Sequence, residues 1–416
     1  MNLADTVWVL VSAALVLFMT PGLGLFYSGM VRAKGVLAVL VQGLVTMAIV
    51  TVLWSVVGFS LVYAHDAGGG IIGGLSYVGL TNLGHGLAGF SHLQVPPGAV
   101  MVFQMMFAVI TAALISGGVV DRMRFVAFVA FISLWLLIVY VPLAHWVFSP
   151  NGWLAHLGVL DFAGGTVVEI NSGFSTLAVV LVLGRRRGWP RDPMPPHSLP
   201  LSVLGAGILW FGWFGFNAGS ALAVNGVAVH AFINTQLAAA AGMIGWLIFE
   251  GAKRRVATVL GAASGAVAGM VAITPCAGYV GPMPSLAIGA VAGVACVAAV
   301  QLKFRWSYDD SLDVLGIHGV GGLIGMVMLG LFAQHAVDPA ASNGLFFGGG
   351  GRLLGLEILG AVVAATYAFV LTYAIARLVN RIVPLRVSAE DELQGLDLSQ
   401  HGESAYSLPA PGRFGS

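Results

Sequence analysis

Glu169, in the run TVVEINSG, and His318, in VLGIHGVGG, each interrupt a long apolar stretch with a group that can gain or lose a proton. Ionisable side chains held away from water are costly, and inside a membrane they default to pathways for ions or protons. A carboxylate beside an imidazole can hold or pass a proton, and the two titrations are then coupled. The plainer alternative is a satisfied buried ion pair. Asp161 and Asp313 stand just ahead of the same two stretches, where a carboxylate suits a helix N-cap. Glu357, near one end of the last apolar run, reads as a local or subunit contact.

A second group of residues is aromatic. WFGWFGFNAGSA, from Trp210 to Ala221, alternates rings with small residues, and FQMMF places Phe103 and Phe107 four apart on one helix face. Ring faces attract a cation by about 0.5–2 kcal/mol. A ring-lined vestibule carrying the Ser220 hydroxyl would therefore collect a small cation. Rings at this spacing serve more often as packing or as an interfacial belt, and alone they favour that role. Other chemistry finds little support. Cys276 and Cys296 fit neither a disulfide framework nor a metal-ligand spacing and read as packing residues. No P-loop is present, which argues against direct use of ATP. An intramembrane hydrolase using Ser220 and His318 would lack a nucleophile elbow. Neither a metal nor another cofactor is expected, and the chain does not read as an enzyme.

The elements that must position these residues follow from composition. Of 416 residues, 58% are hydrophobic, 58 are glycine and only 8% are charged. Soluble domains carry roughly a quarter charged residues. Too few charges exist here to clothe a water-facing surface, which excludes a soluble enzyme, a nucleic-acid binder and a disordered scaffold. Crossing a bilayer takes about 20 apolar residues. Eleven runs qualify: about 5–31, 35–64, 97–119, 125–147, 163–184, 198–219, 227–250, 256–274, 282–302, 311–333 and 350–380. The first run has no basic residue before it, so it reads as a retained span rather than a signal peptide.

The basic residues fall after odd-numbered runs: Arg32 and Lys34, Arg122 and Arg124, Arg185 to Arg187 with Arg191, Lys253 to Arg255, Lys303 and Arg305; Arg377, Arg381, Arg386 and Arg413 then end the chain. Arg352, opening the last run, is the exception. The positive-inside rule puts the N-terminus outside and the C-terminus in the cytoplasm. Runs one to five and six to ten would form two halves, and an odd number of crossings per half makes them inverted. The expected fold is an all-α membrane protein with eleven transmembrane helices, two inverted five-helix halves and a long tilted eleventh helix. Gly261, Gly265 and Gly269 in run eight, and Gly289 and Gly293 in run nine, recur at the spacing of close helix packing. Residues 1–384 form the transmembrane domain and 385–416 a polar tail, read either as a solvated terminus or as an ordered regulatory segment.

The stretches PGLGLFYSGMVRAKGVL, DFAGGTVVEINSG, GWFGFNAGSA, ITPCAGYVGP and DVLGIHGVGG, with the tail LRVSAEDELQGLDLSQHGESAY, resemble the ammonium transporter family (Amt/Mep/Rh), and within it the bacterial and archaeal Amt branch. The resemblance implies a homotrimer in the cytoplasmic membrane of a prokaryote, each subunit with its own pore. It implies an outer site of rings and a serine, matched by Phe107 and Ser220, with Phe103, Trp213 and Phe148 at vestibule positions. Phe107 and Phe216 match a stacked pair that obstructs the pore. His318 matches the second of two pore histidines, while the first is replaced by Glu169. Phe148 stands where the family carries a tryptophan, with Trp146 and Trp153 nearby. Asp161 matches an aspartate that holds the outer site together rather than ligating the cation.

The expectation is that NH4+ docks outside, loses its proton and crosses as NH3 past the rings, while Glu169 and His318 relay the proton and make uptake electrogenic. A passive NH3 channel and an ammonium sensor are the alternatives; methylammonium is a further candidate substrate. A PII-type signal protein is the expected cytoplasmic partner of the tail, and no nucleic acid is expected.

Overall fold

A computed structural model describes residues 1–90 and 93–406; Arg413 and the rest of 407–416 lie outside the described residues. Regular structure among the described residues is helical, with only two isolated β-bridges besides. We number the long helices α1 (Leu3–Met30), α2 (Ala33–Tyr63), α3 (Pro97–Val119), α4 (Phe125–Leu157, its last turn set off at 149–152), α5 (Gly165–Leu183), α6 (Leu199–Gly219), α7 (Gly226–Arg254), α8 (Val259–Ile273), α9 (Pro282–Trp306), α10 (Leu315–Phe332) and α11 (Arg352–Ile382). Two short helices follow in the tail, α12 (Ala389–Gln394) and α13 (Leu396–His401).

Helix starts follow local chemistry. Asn2 accepts from Ala4 N at 2.9 Å, Asn225 from Ala228 N at 3.0 Å, and Thr258 from Gly261 N at 2.9 Å. Each thereby satisfies a donor that a helix leaves unpaired at its start. Outward faces are apolar as well as the core: Val229, Phe232, Ile244 and Ile248 on α7, and Ile358, Val362 and Val370 on α11, are exposed. A surface of that kind belongs against lipid.

Ten of the helices are long and apolar enough to cross a membrane. The departure from the eleven expected runs is α8, which has 15 residues and spans about 22 Å at 1.5 Å per residue, against a core of about 30 Å. Beyond it the chain unwinds through 274–281, yet Thr274, Cys276, Ala277 and Val280 are fully buried. Unpaired backbone is tolerated at membrane depth only inside protein. Asn234 on α7 meets that need, donating to the carbonyls of Ala277 at 2.9 Å and Val280 at 2.7 Å. Cys276 and Cys296 are both buried and form no disulfide with each other, and Cys276 Sγ lies 3.2 Å from the Gly325 carbonyl. The glycines of α8 and α9 face one partner: a Cβ at Gly265 would crowd Trp246, one at Gly269 or Gly289 would fall on Ala238, and one at Gly293 on Gly242, all on α7.

The end of the bundle that carries most basic residues is held by ions. Arg186 grips Asp309 with Nε at 2.9 Å, Nη2 at 2.8 Å and its own backbone N at 2.7 Å. Arg122, fully buried, donates to the carbonyls of Asp309 at 2.6 Å and Gly184 at 2.8 Å and to Ser311 Oγ at 2.8 Å. These bonds lock the α3–α4, α5–α6 and α9–α10 connections together. The cap expected from Asp313 is made instead by Asp310, whose Oδ2 accepts from Leu315 N at 2.8 Å. Asp313 turns to Lys303, because its backbone sits in the left-handed region at φ 65°.

The tail is woven into the same end. Arg124 N donates to Leu385 O at 2.7 Å and Val387 N to Arg122 O at 3.0 Å. Glu392 accepts from Arg187 N and from Arg386, each at 2.7 Å. Asp397 accepts from Ala38 N at 2.8 Å and so supplies the start of α2 with the cap that Gly35 lacks. Lys34 donates to the carbonyl of Leu393.

Burial works against the charge on Asp309, but the Arg186 guanidinium and then Arg122 outweigh it and hold the carboxyl below its ordinary value. A depressed carboxyl stabilises the fold above the unfolded value near 4 and loses that contribution as pH falls through the lower folded value. Asp310 runs the other way: burial, then the neighbouring Asp313 charge, push it up to about 6, so its ionisation opposes folding as pH rises through that range. Asp309→Asn strands two buried guanidiniums, a loss of roughly 3–5 kcal/mol. In detergent the expected outcome is a Tm lower by roughly 5 °C at neutral pH, with the wild-type and variant curves converging below about pH 4.

Candidate functional site: a ring stack between an open recess and a buried acid–imidazole pair

α3 and α6 carry the rings, and α5 and α10 carry the ionisable pair. At one end of the bundle a recess of about 240 Å³ is lined by Tyr63, Phe90, Gln104, Phe148, Asp161, Phe162, Ser220 and Tyr279, among others. Ser220 donates its hydroxyl hydrogen to the Phe216 carbonyl at 2.9 Å, which leaves the oxygen lone pairs free to accept. Asp161 is not free. Its carboxylate takes Gly164 N at 2.8 Å, Gly165 N at 2.6 Å, Thr166 N at 2.7 Å and Thr166 Oγ1 at 2.5 Å. Those are the unpaired donors at the start of α5, so Asp161 shapes the recess wall as a cap.

From the recess, Phe148 meets Phe107 edge-on, with centroids 6.3 Å apart. Phe107 stacks on Phe216 at 4.2 Å and 17°, with no space between the rings for a solute. Beneath lies a chamber of about 10 Å³, walled by Met19, Leu23, Ile110, Leu114, Val168, Leu209, Trp213 and Phe216. That is the limit for one molecule the size of water. Its polar groups are Glu169 and His318, joined by His318 Nδ1 donating to Glu169 Oε2 at 2.6 Å. Glu169 is 1% exposed and His318 5%. A hydrogen on Nδ1 leaves Nε2 as the second site for a proton, and among the described residues it has no partner.

Both ends of the pair are built alike. Asp161 precedes Glu169 by eight residues, and Asp310 precedes His318 by eight. Each aspartate accepts the backbone N–H five residues on, Thr166 and Leu315 respectively. Glu169 and His318 each sit in a single π-turn, Gly165–Ile170 and Leu315–Gly319, at the start of its helix. The two helices cross backbone to backbone: a Cβ at Gly173 would collide with Gly319, and one at Gly322 would lie 2.9 Å from Glu169 Cβ. Only glycine there lets two side chains from different helices share one hydrogen bond.

The structure thus brings Phe148, Ser220 and Asp161 to the recess, Phe107 and Phe216 to the stack, and Glu169 and His318 to one bond. Two expected vestibule residues lie elsewhere. Trp213 is in the chamber below the stack, where its indole donates to Thr274 Oγ1 at 3.0 Å. Phe103 is fully buried, edge-on to Phe107 at 4.9 Å and beneath Gly219. Trp146 is committed to the Ile71 carbonyl at 2.8 Å and packs on Tyr367, so the ring facing the recess from this segment is Phe148. Sequence reasoning passed over Gln104, Tyr63 and Tyr279, although Gln104 was visible as the one amide inside FQMMF.

A family model for the Ammonium Transporter Family matches residues 7–406. The chain belongs to that family. It is 46% identical over 407 residues to an ammonium transporter of Bacillus subtilis, covering 98% of this chain and 99% of that one. It is 42% identical over 407 residues to the ammonium transporter Amt1 of Archaeoglobus fulgidus, covering 98% and 100%. Its fold is similar to the crystal structure of Saccharomyces cerevisiae Mep2, with a TM-score of 0.88, 36% identity, and coverage of 94% of this chain and 88% of that one. Membership and the run of apolar helices make it a multi-pass protein of the cell membrane.

Asp161→Ala would orphan three backbone donors and a hydroxyl, each worth about 1–3 kcal/mol when buried unpaired. The expected result is a lower Tm in detergent and faster amide exchange over 164–166, with Asp161→Asn intermediate between the wild type and Ala.

Proposed function

We propose that this chain is an ammonium transporter that takes NH4+ at the recess, strips its proton, and passes NH3 through the chamber while the Glu169–His318 pair relays the proton. What carries the reading is the 2.6 Å bond between two ionisable groups in an otherwise apolar chamber, directly beneath a ring stack. The rings of Phe148 and Phe107 attract a cation, and Ser220 offers it an acceptor. An intact ion gains little from the apolar chamber and loses its hydration, so the charged species is stopped there. NH4+ divides into NH3 and H+; the nitrogen passes when the Phe107 and Phe216 rings swing apart, and the proton moves through the pair. Recombination on the far side gives net transfer of one positive charge.

The pair has net charge −1 with a neutral imidazole and zero with an imidazolium. Glu169→Gln moves both states up by one charge and leaves a buried imidazolium without its counter-ion. Glu169→His does the same but keeps a second group able to take a proton. Currents on solid-supported membranes test this. Glu169→Gln should lower the ammonium-evoked current at least about tenfold, equivalent to ~1.4 kcal/mol, and Glu169→His should retain current with a displaced pH profile. Unchanged current size, pH profile and K+ rejection in Glu169→Gln would remove the pair from the mechanism, and ammonium flux without current would indicate a passive NH3 channel.

The remaining architecture is read with the same mechanism: eleven crossings, N-terminus outside, C-terminus inside, and two inverted halves. The basic residues after odd-numbered runs support the orientation, and the matched Asp161–Glu169 and Asp310–His318 spacings support the halves. The protein works as a homotrimer with a PII-type protein as cytoplasmic regulator, and the tail couples that regulator to the pore. The bonds from Glu392 to the α5–α6 connection and from Asp397 to α2 favour an ordered tail over a solvated one. Truncation at Arg386 should lower ammonium uptake in cells and liposomes; uptake and regulation equal to wild type would return the tail to a solvated terminus.

A further inference from the structure

Gln104 has a carboxamide that nothing in the fold explains. It lies on α3 between Phe103 and Met105, lines the recess beside Phe148, Asp161 and Ser220, and is 8% exposed. Its Oε1 is fully shielded and has no hydrogen bond, and Nε2 has no partner among the described residues either. Buried side-chain amides are nearly always paired, and one left open at a recess points to a group that arrives from outside. The two nearest candidates for its carbonyl oxygen are engaged elsewhere. Both Asp161 oxygens are occupied by the start of α5, and the Ser220 hydroxyl hydrogen is spent on the Phe216 carbonyl.

Resting on the reading of the recess as the ammonium site, we infer that Gln104 is a further ligand there and a determinant of specificity. Its carbonyl oxygen accepts an N–H from ammonium while Ser220 accepts a second. The broad, two-fold torsion at the end of a glutamine side chain lets oxygen and nitrogen exchange places, so the carbonyl can turn to the solute. Rings draw in any small cation and cannot separate ammonium from an alkali ion of similar size. Directional acceptors can, because only ammonium carries hydrogens to donate. Two acceptors leave two of its hydrogens facing rings, so a single methyl group costs less than the loss of an acceptor.

Gln104→Leu removes both polar ends at similar volume. On solid-supported membranes the half-saturating ammonium concentration should rise about tenfold, or ~1.4 kcal/mol, with the maximal current within about twofold of wild type. Inhibition of the ammonium current by K+ should strengthen in the same variant. Tm should hold or rise, since a buried unpaired amide is gone, whereas an amide that merely supports the fold would lower Tm on removal. An unchanged half-saturating concentration in a folded Gln104→Leu overturns the inference while leaving the transporter reading intact. A wild type with no saturable ammonium response overturns both. If Gln104→Leu does not fold, Gln104→Glu decides: it keeps the acceptor and adds charge, so half-saturation should fall at least about threefold, and no change counts against Gln104.

Discussion

The Glu169–His318 hydrogen bond places a carboxylate at 1% exposure, among Ile110, Leu114 and Val168, away from bulk water. An isolated buried charge of that kind is heavily penalised, and a partner at hydrogen-bond distance is the remedy the fold adopts. Much else in the two carrying helices is a consequence. The side chains of glutamate and histidine are short, so helices bearing them must approach until backbones touch. Gly173, Gly319 and Gly322 permit that approach at the level of the pair. The ends of the same helices must then be fixed, and Asp161 and Asp310 fix them by taking up the donors that a helix start leaves open.

Much of this was legible in the sequence, and what was not has identifiable causes. The apolar runs, the positions of Glu169 and His318, and the ring spacing of Phe103 and Phe107 follow from composition and period, which survive whatever the tertiary arrangement. Asp313 is the acid nearest the apolar run, and proximity alone makes it the expected cap. A left-handed backbone at that residue turns it to Lys303, and the cap passes to Asp310, three residues earlier. Local proximity carries no information about backbone hand. The family resemblance puts Trp213 in the vestibule, but a helix distributes its rings over different depths, and this indole donates to Thr274. The expected run 256–274 takes in Val256 and Ala257, which precede α8 and are as apolar as its interior, and Thr258, which caps it; beyond its other end Asn234, on a different helix, satisfies the carbonyls of Ala277 and Val280.

The ionic end of the bundle has a different logic from the pore. Arg122 and Arg186 are as buried as the pore pair, but they are saturated with partners: Asp309, two carbonyls and a serine. Both guanidiniums are fully engaged, so the cluster holds three connections rigidly. The pore pair is the reverse, one bond and one spare nitrogen. That contrast between a saturated cluster and an under-coordinated pair is what the proposed relay rests on, without appeal to either residue type.

Size alone does not order the recess, stack and chamber into a selective path. Any small cation is drawn to the rings of Phe148 and Phe107, and the pull is strongest where water is thinnest. The next step reverses the preference, because a space of about 10 Å³ lined by Leu, Ile and Val has no room for a hydration shell and few groups to replace one. On the proposed mechanism a cation that keeps its charge is held at the recess and then turned back. One that can shed a proton leaves the charge to a separate carrier and continues as a neutral molecule of water's size. In that proposal selection below the stack depends on whether the solute can be divided, a chemical property that potassium lacks, and the proton's own route runs to the acid–imidazole bond.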